Sequence, residues 1–106
     1  MKQNHISRAG RLAQIIMHIY EQTAEAQPVI FTPYSIAKAL GMRPSTHVTK
    51  MIHELTQIGW LNEVEQPDLF GRKSTRVWLT GDAFKLLEDA YSDGKGNLKF
   101  VKEWFE

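Results

Sequence analysis

The sequence predicts a mainly helical α+β fold, organised as a single domain over residues 1–106. Three observations support this. Apolar residues recur at helical spacing between residues 7 and 58, two β-prone runs flank a turn at about 60–80, and another helical pattern follows residue 82. A chain of 106 residues can bury one modest core. We therefore expect a three-helix core, a small antiparallel hairpin and an additional C-terminal helical region.

The first predicted helix begins after Ser7, a favourable N-terminal cap, and runs to about Gln22. Its apolar residues repeat at intervals of three and four and form one stripe: Ala9, Leu12, Ile15, Ile16 and Ile19. Arg8 and Arg11 lie away from that stripe, where they either contact a DNA backbone or simply cover the surface. A break at residues 25–28 and a short edge strand at 29–31 are expected to follow.

Two more helices are predicted between Thr32 and about residue 58, joined by a tight turn. Thr32 can cap the first of them, and Pro33 suits its first turn, where no N–H donor is needed. Gly41 can end it in the left-handed conformation. Ser45 or Thr46 can cap the next helix. Its apolar residues at i, i+4 and i+7 form the expected buried stripe: Val48, Ile52 and Leu55.

The outward face of this third helix is the main candidate for a functional surface. It carries small polar and basic side chains, and Arg43 and Ser45 precede it: Thr46, Thr49, Lys50 and His53. Hydroxyls and lysine reach phosphates or base edges, and a helix N-terminus attracts phosphate. The alternative is an ordinary solvated helix face.

A hairpin is predicted from strands at about 60–66 and 75–80, with turn signals at 67–71. In the returning strand, Val77 and Leu79 share one face, and Arg76 and Trp78 share the other. The loop at residues 70–74 is basic, and a basic hairpin tip can follow a phosphate backbone or enter a minor groove. The candidate contact residues here are Arg72, Lys73 and Arg76; the alternative is a solvated turn kept soluble by charge.

The helix pair and hairpin resemble the winged helix-turn-helix family of bacterial and phage DNA-binding proteins. The resemblance covers about residues 12–90 and rests on these matches: Ile36-Ala37, Leu40-Gly41-Met42, Val48, Leu55 and Ile58-Gly59-Trp60-Leu61. It implies a helix-turn-helix at about 32–58, a wing at about 60–80 and a C-terminal helical region at about 82–106.

This resemblance implies sequence-specific binding of double-stranded DNA and regulation of transcription. The helix at 45–57 would enter the major groove, and the wing at 67–76 would lie on the backbone or in the minor groove. The alternative is a winged-helix protein-interaction module in a replication, phage or mobile-element assembly. The low net charge of +1, the lack of arginine in the third helix and an aromatic tail favour that alternative.

Charge is unevenly distributed along the chain. Residues 1–20, 43–53 and 71–76 contain basic side chains and no acid, whereas residues 82–106 hold six acids and four lysines. A nearly neutral protein can therefore still present one basic face. The absence of cysteine excludes disulfides and cysteine-based metal sites and suggests a cytoplasmic protein, bound to the nucleoid when on DNA. No apolar run is long enough to span a bilayer, and no export signal is recognised.

The sequence predicts neither an enzyme nor a cofactor. The four histidines do not match the spacing of a zinc motif: His5, His18, His47 and His53. Residues 93–97 resemble a calcium loop only faintly and are interpreted as a turn. Nucleophile elbows, phosphate-binding glycine loops and H-E-x-x-H motifs are absent from the sequence.

The C-terminal region is predicted to contain a helix capped by Asp82, a glycine-rich turn and an aromatic tail. Four aromatic residues are candidates for an interface: Trp78, Phe100, Trp104 and Phe105. One interpretation is that the tail folds back on the first helix and covers Trp78. The other is a dimer interface, because aromatic residues are enriched at interface cores. The resemblance favours a homodimer, since such regulators often bind two-fold symmetric operators.

Overall fold

The computed structural model of the chain describes residues 6–25, 31–43, 46–67 and 69–106. The elements follow in this order: α1 (Arg8–Ala24), α2 (Pro33–Ala39), α3 (Thr46–Gln57), β1 (Leu61–Pro67), β2 (Lys73–Leu79), α4 (Gly81–Ser92) and α5 (Leu98–Lys102), with a final 3-10 turn at Glu103–Phe105. The mainly helical α+β class is therefore confirmed. Across the described ranges, no helix has the length and apolar character needed to cross a membrane.

Some predictions concern residues outside the described ranges. They include the break and edge strand at 26–30, His5, the possible cap Ser45 and part of the turn at Asp68. At the end of the expected edge strand, Phe31 is described, and it forms an isolated antiparallel bridge with Val77. The Val77 amide donates to the Phe31 carbonyl at 3.0 Å.

Helix α1 is anchored at both the cap and the apolar stripe expected from the sequence. The Ser7 hydroxyl accepts a hydrogen bond from the Gly10 amide at 3.1 Å, which satisfies a donor left free at the helix start. The stripe is buried, with Ile15, Ile16 and Ile19 fully inaccessible. The helix extends to Ala24, slightly beyond the predicted end near Gln22.

Helix α2 begins with a capping box. The Thr32 hydroxyl accepts from the Ser35 amide at 3.0 Å, and the Ser35 hydroxyl accepts from the Thr32 amide at 2.9 Å. Pro33 occupies the first turn, and Gly41 ends the helix with a φ of +68°. Capping interactions therefore define both ends of this short helix.

Replacing Thr32 with alanine should lower the free energy of unfolding by about 1 kcal/mol, because the Ser35 amide at the helix start loses its hydrogen-bond acceptor. Urea denaturation of the two proteins measures this difference. Thr32→Ser keeps the hydroxyl and serves as the control. Equal losses in the serine and alanine variants would show that the threonine methyl group, and not the cap, stabilises the protein.

Helix α3 packs against the core through the predicted stripe and through Met51, which the sequence analysis had not included. Val48, Met51, Ile52 and Leu55 are all buried. The helix ends at a turn in which Gly59 has a φ of +92° and the Trp60 amide donates to the Leu55 carbonyl at 2.8 Å. This turn directs the chain into β1.

The two strands form an antiparallel hairpin in which Leu61 pairs with Leu79 and Pro67 pairs with Lys73. Strand β2 begins at Lys73, so Lys73 and Ser74 belong to the ladder. The prediction that they lie in the loop at residues 70–74 is wrong. Pro67 lies at the end of β1, where the missing N–H of proline is tolerated. The unpaired wing tip is correspondingly shorter.

Helix α4 is capped by Thr80 and not by Asp82, which corrects the prediction. The Thr80 hydroxyl accepts from the Ala83 amide at 3.2 Å and lies 2.8 Å from the Gly59 carbonyl, to which it donates. The helix therefore begins at Gly81. Asp82 falls in the first turn, where a negative charge is still favourable.

The C-terminal segment folds back on α1, as one of the two interpretations of the aromatic tail expected. Val101 is fully buried, and Trp104 stacks on Trp60 with ring centroids 5.4 Å apart and an interplanar angle of 14°. The Phe105 ring also packs on Trp60, with the ring centroids 5.3 Å apart. The tail does not bury Trp78, which remains 45% exposed.

Candidate nucleic-acid interface

The outward face of α3 presents a line of polar side chains. With buried positions on one side of the helix, the opposite side carries exposed residues at i, i+4, i+7 and i+11: Thr46, Lys50, His53 and Gln57. Thr49 is exposed beside this line. Gln57 was not among the site residues predicted from the sequence, although its place seven residues after Lys50 puts it on the same line. We call these five residues the α3 face.

On one flank of the α3 face, Glu54 is paired with Arg8 of α1. Arg8 Nη1 donates to Glu54 Oε2 at 2.7 Å, and Nη2 contacts the other carboxylate oxygen. The hydrogen bonds and charge of Arg8 hold the pKa of the Glu54 carboxyl below its ordinary value. Arg8, a candidate DNA contact in the sequence, thus compensates an acid of α3 itself.

On the other flank, Glu63 of β1 is engaged by two side chains of α3. Its Oε1 lies 2.8 Å from His53 Nδ1 and 2.9 Å from the Thr56 hydroxyl. The Glu63 side chain is only 14% exposed, whereas that of His53 is 64% exposed. The contact therefore joins a sheltered carboxylate to an imidazole that faces solvent.

A cleft of about 370 Å³ opens between the C-terminal half of α3 and the hairpin. It is lined by side chains of α3, β1 and β2: His53, Thr56, Gln57, Glu63, Glu65 and Thr75. All six of these side chains carry a hydrogen-bonding group. Within the described ranges, no cluster of three potential metal-binding side chains is found.

The basic residues predicted for the wing do not share one face. Alternation along β2 places Lys73 on the side of the buried Val77 and places Arg76 on the opposite side. Lys73 Nζ lies 3.8 Å from Glu65 Oε1 in an exposed ion pair. Arg72 lies at the tip, with its guanidinium 5.3 Å from the centroid of the Phe70 ring. Only Arg72 is therefore presented by the tip itself.

The wing tip is more apolar than its sequence had suggested. Leu69 is 98% exposed and Phe70 is 80% exposed. Two adjacent exposed apolar side chains at a hairpin tip are a candidate contact surface. The sequence carries this signal as two adjacent apolar residues among the turn residues 67–71, which predict only a turn by composition.

Two predicted site residues precede α3 in the sequence. Arg43 is exposed in the connection after α2. Ser45 lies outside the described residues. The structure therefore brings Thr46, Thr49, Lys50 and His53 together on one helix and distributes the basic wing residues over a tip and two sheet faces.

Comparison with solved structures identifies several similar folds. ZitR from Lactococcus lactis, in an apo form, has a TM-score of 0.58 and 21% identity, covering 88% of this chain and 63% of that one. TA0346 from Thermoplasma acidophilum, named as a transcriptional regulator, has a TM-score of 0.61 and 13% identity, covering 90% of this chain and 93% of that one. The protein smu.1704 from Streptococcus mutans has a TM-score of 0.54 and 18% identity, covering 96% of this chain and 94% of that one.

No protein-family model and no curated protein sequence matches the chain. The chain spans 63% of the length of ZitR, and all three identities are too low to transfer a function. What they share with this chain is the arrangement of helices around a wing hairpin. The protein therefore has the winged helix-turn-helix fold that its sequence resemblance implied.

Proposed function

We propose that this protein binds double-stranded DNA in a sequence-specific manner and regulates transcription. Helix α3 would enter the major groove, and the wing at 67–76 would contact the backbone or the minor groove. The fold supports this proposal, as does its likeness to a protein named as a transcriptional regulator. In this proposal residues 1–106 form one domain that acts in the cytoplasm, on the nucleoid when bound, and catalyses no reaction.

The observation that carries the proposal is the charge pattern on and around the α3 face. Its five residues include Lys50 and no acid. The acids on its two flanks, Glu54 and Glu63, are engaged by Arg8 and by His53. Arg8 thus compensates the charge of Glu54, and Glu63 is sheltered with its side chain 14% exposed, so a phosphate backbone approaching α3 would meet little exposed negative charge.

The wing supports the proposal through its tip. Arg72 provides a positive charge there, and Leu69 beside it is almost completely exposed. Arginine and apolar side chains are the groups that proteins place in minor grooves. Lys73 and Arg76 would contact phosphates from the two sides of the hairpin, and Arg43 would do so from the connection after α2.

Salt dependence of binding tests the interface directly. If five or six phosphates are neutralised per protomer, log K against log salt should have a slope of about −5. Replacing Lys50 or Arg72 with alanine should weaken binding and reduce the magnitude of that slope by about one in each case. Titration of random-sequence duplex at about 50 and 200 mM salt, by fluorescence anisotropy, measures both quantities.

Lys85→Ala, an exposed lysine on α4, is the matched control and should leave the slope unchanged. Equal slopes for the parent, Lys50→Ala and Arg72→Ala would remove the assignment of α3 and the wing tip as the interface. No binding at the lower salt concentration would contradict the DNA-binding proposal itself.

A protein-interaction module is the second candidate, and exposed apolar residues on the hairpin favour it. Trp78 and Val64 lie on the face of the hairpin opposite the core, and both are substantially exposed. Capture of a partner protein that Trp78→Ser abolishes, together with absence of DNA binding, would favour this function. The aromatic tail supports it less than expected, because Trp104 and Phe105 pack on Trp60.

We also propose a homodimer, which would suit a two-fold symmetric operator. Of the four aromatic residues considered for the interface, Phe100, Trp104 and Phe105 pack partly within the chain, which leaves Trp78 as the most accessible. Sedimentation equilibrium of the parent and of Trp78→Ser measures the oligomeric state and the role of this residue.

A further inference from the structure

The contact between His53 and Glu63 determines which nitrogen of the imidazole carries a proton. A carboxylate only accepts hydrogen bonds, so the 2.8 Å contact requires that His53 Nδ1 carry hydrogen and donate to Glu63 Oε1. When the ring is neutral, the other nitrogen, Nε2, then has a free lone pair and is an acceptor. The exposed edge of His53 therefore has a defined hydrogen-bonding character.

Glu63 is held in place for this role. The Thr56 hydroxyl lies 2.9 Å from the same carboxylate oxygen and 3.0 Å from the Ile52 carbonyl, so its single proton can be donated to either. Thr56 and His53 both belong to α3, and Glu63 belongs to β1. The carboxylate is thus sheltered between helix and hairpin, and only the far edge of the imidazole is presented outward.

We propose that Glu63 is a positioning residue for base recognition, which fixes His53 as the Nδ1–H tautomer so that Nε2 accepts a hydrogen bond from a base amino group. In the major groove such amino groups are N6 of adenine and N4 of cytosine, whereas guanine and thymine present acceptors at the corresponding positions. His53 then discriminates against guanine and thymine at the one base that Nε2 contacts, and so also between the two orientations of a base pair. This inference rests on the proposed function, because it needs α3 to lie in the major groove.

The tautomer is measurable in the free protein by long-range ¹⁵N–¹H NMR of the histidine rings, at about pH 8.5, where an ordinary imidazole is neutral. The spectrum should show His53 as the Nδ1–H form in the parent protein. Glu63→Ala should convert His53 to the Nε2–H form or to a mixture of both forms. Glu65→Ala, which removes a neighbouring carboxylate from the same cleft, should leave the His53 signals of the parent unchanged.

Thr56→Val provides a second variant if Glu63→Ala unfolds the hairpin. It removes the hydroxyl that braces Glu63 and keeps a β-branched side chain of similar shape. The His53 spectrum should then show a partial loss of the Nδ1–H form. An Nε2–H form in the parent protein, or a spectrum that neither variant changes, would overturn the proposal.

A selection from randomised duplex DNA at the same pH tests the recognition step. Glu63→Ala should reduce the preference for an amino-bearing base at one position by about tenfold. In a His53→Ala background the same substitution should change nothing, because Glu63 acts only through His53. Equal effects in both backgrounds would overturn the positioning role.

The two readouts separate this inference from the proposed function. The expected tautomer without any DNA binding would overturn the base-recognition role together with the DNA-binding function. Salt-sensitive binding with an unexpected tautomer would leave the DNA-binding function intact and overturn only the role of Glu63.

Discussion

Replacing Trp104 with alanine should lower the free energy of unfolding by about 3 kcal/mol, at the lower end of the range for buried tryptophans. Trp104 stacks on Trp60 and contacts the edge of Phe100 at 5.6 Å. Its removal would leave a gap between the tail and the turn before β1 and would loosen the cover over α1. Urea denaturation monitored by far-ultraviolet circular dichroism measures the loss.

Trp78→Ala is the matched control, because Trp78 is a second tryptophan and is exposed, whereas Trp104 is partly buried. Its effect on unfolding should stay below about 1 kcal/mol. Both measurements should be made at two protein concentrations. A loss for Trp104→Ala that vanished on dilution would show that Trp104 acts at an interface between two chains and not within one.

Replacing Lys50 with glutamate should weaken DNA binding by on the order of 100-fold at about 50 mM salt. The change removes a cation from the centre of the α3 face and puts an acid there, one helical turn before Glu54. Arg8 already donates to both carboxylate oxygens of Glu54, which places a second acid at position 50 beside an existing ion pair. Fluorescence anisotropy with a labelled duplex measures the affinity.

The control for this charge reversal is Lys85→Glu on α4, which makes the same change in net charge. Binding reduced equally by both variants would mean that net charge, and not a contact at α3, controls affinity. Thermal unfolding of both variants should match the parent, because exposed lysines on helices contribute little to stability.

The order of elements and most of their ends could be predicted from local sequence. Ser7 and Thr32 have side chains that satisfy helix-start donors only a few residues away, and Gly41 tolerates a left-handed conformation that few other residues adopt. Such signals act over a few residues. The apolar stripe of α3 was equally readable, because helical periodicity alone determines which positions share a face.

The predictions that needed correction depended on neighbours distant in the chain. Thr80 rather than Asp82 caps α4 because its hydroxyl also reaches the Gly59 carbonyl, 21 residues earlier. Lys73 belongs to β2 and not to the loop, because it pairs with Pro67 across the hairpin. The tail was ambiguous for the same reason, since the sequence does not reveal that Trp104 meets Trp60.

The sequence by itself determined the helical periodicities, the helix caps and the identity of the polar line along α3. Only the tertiary structure decided which acidic side chains lie beside the α3 face and which groups pair with them. Arg8 and Glu54 are 46 residues apart, and His53 and Glu63 are on different elements. Electrostatic interactions and hydrogen bonds act through space, so the charge and tautomer of this surface depend on how α1, α3 and β1 pack.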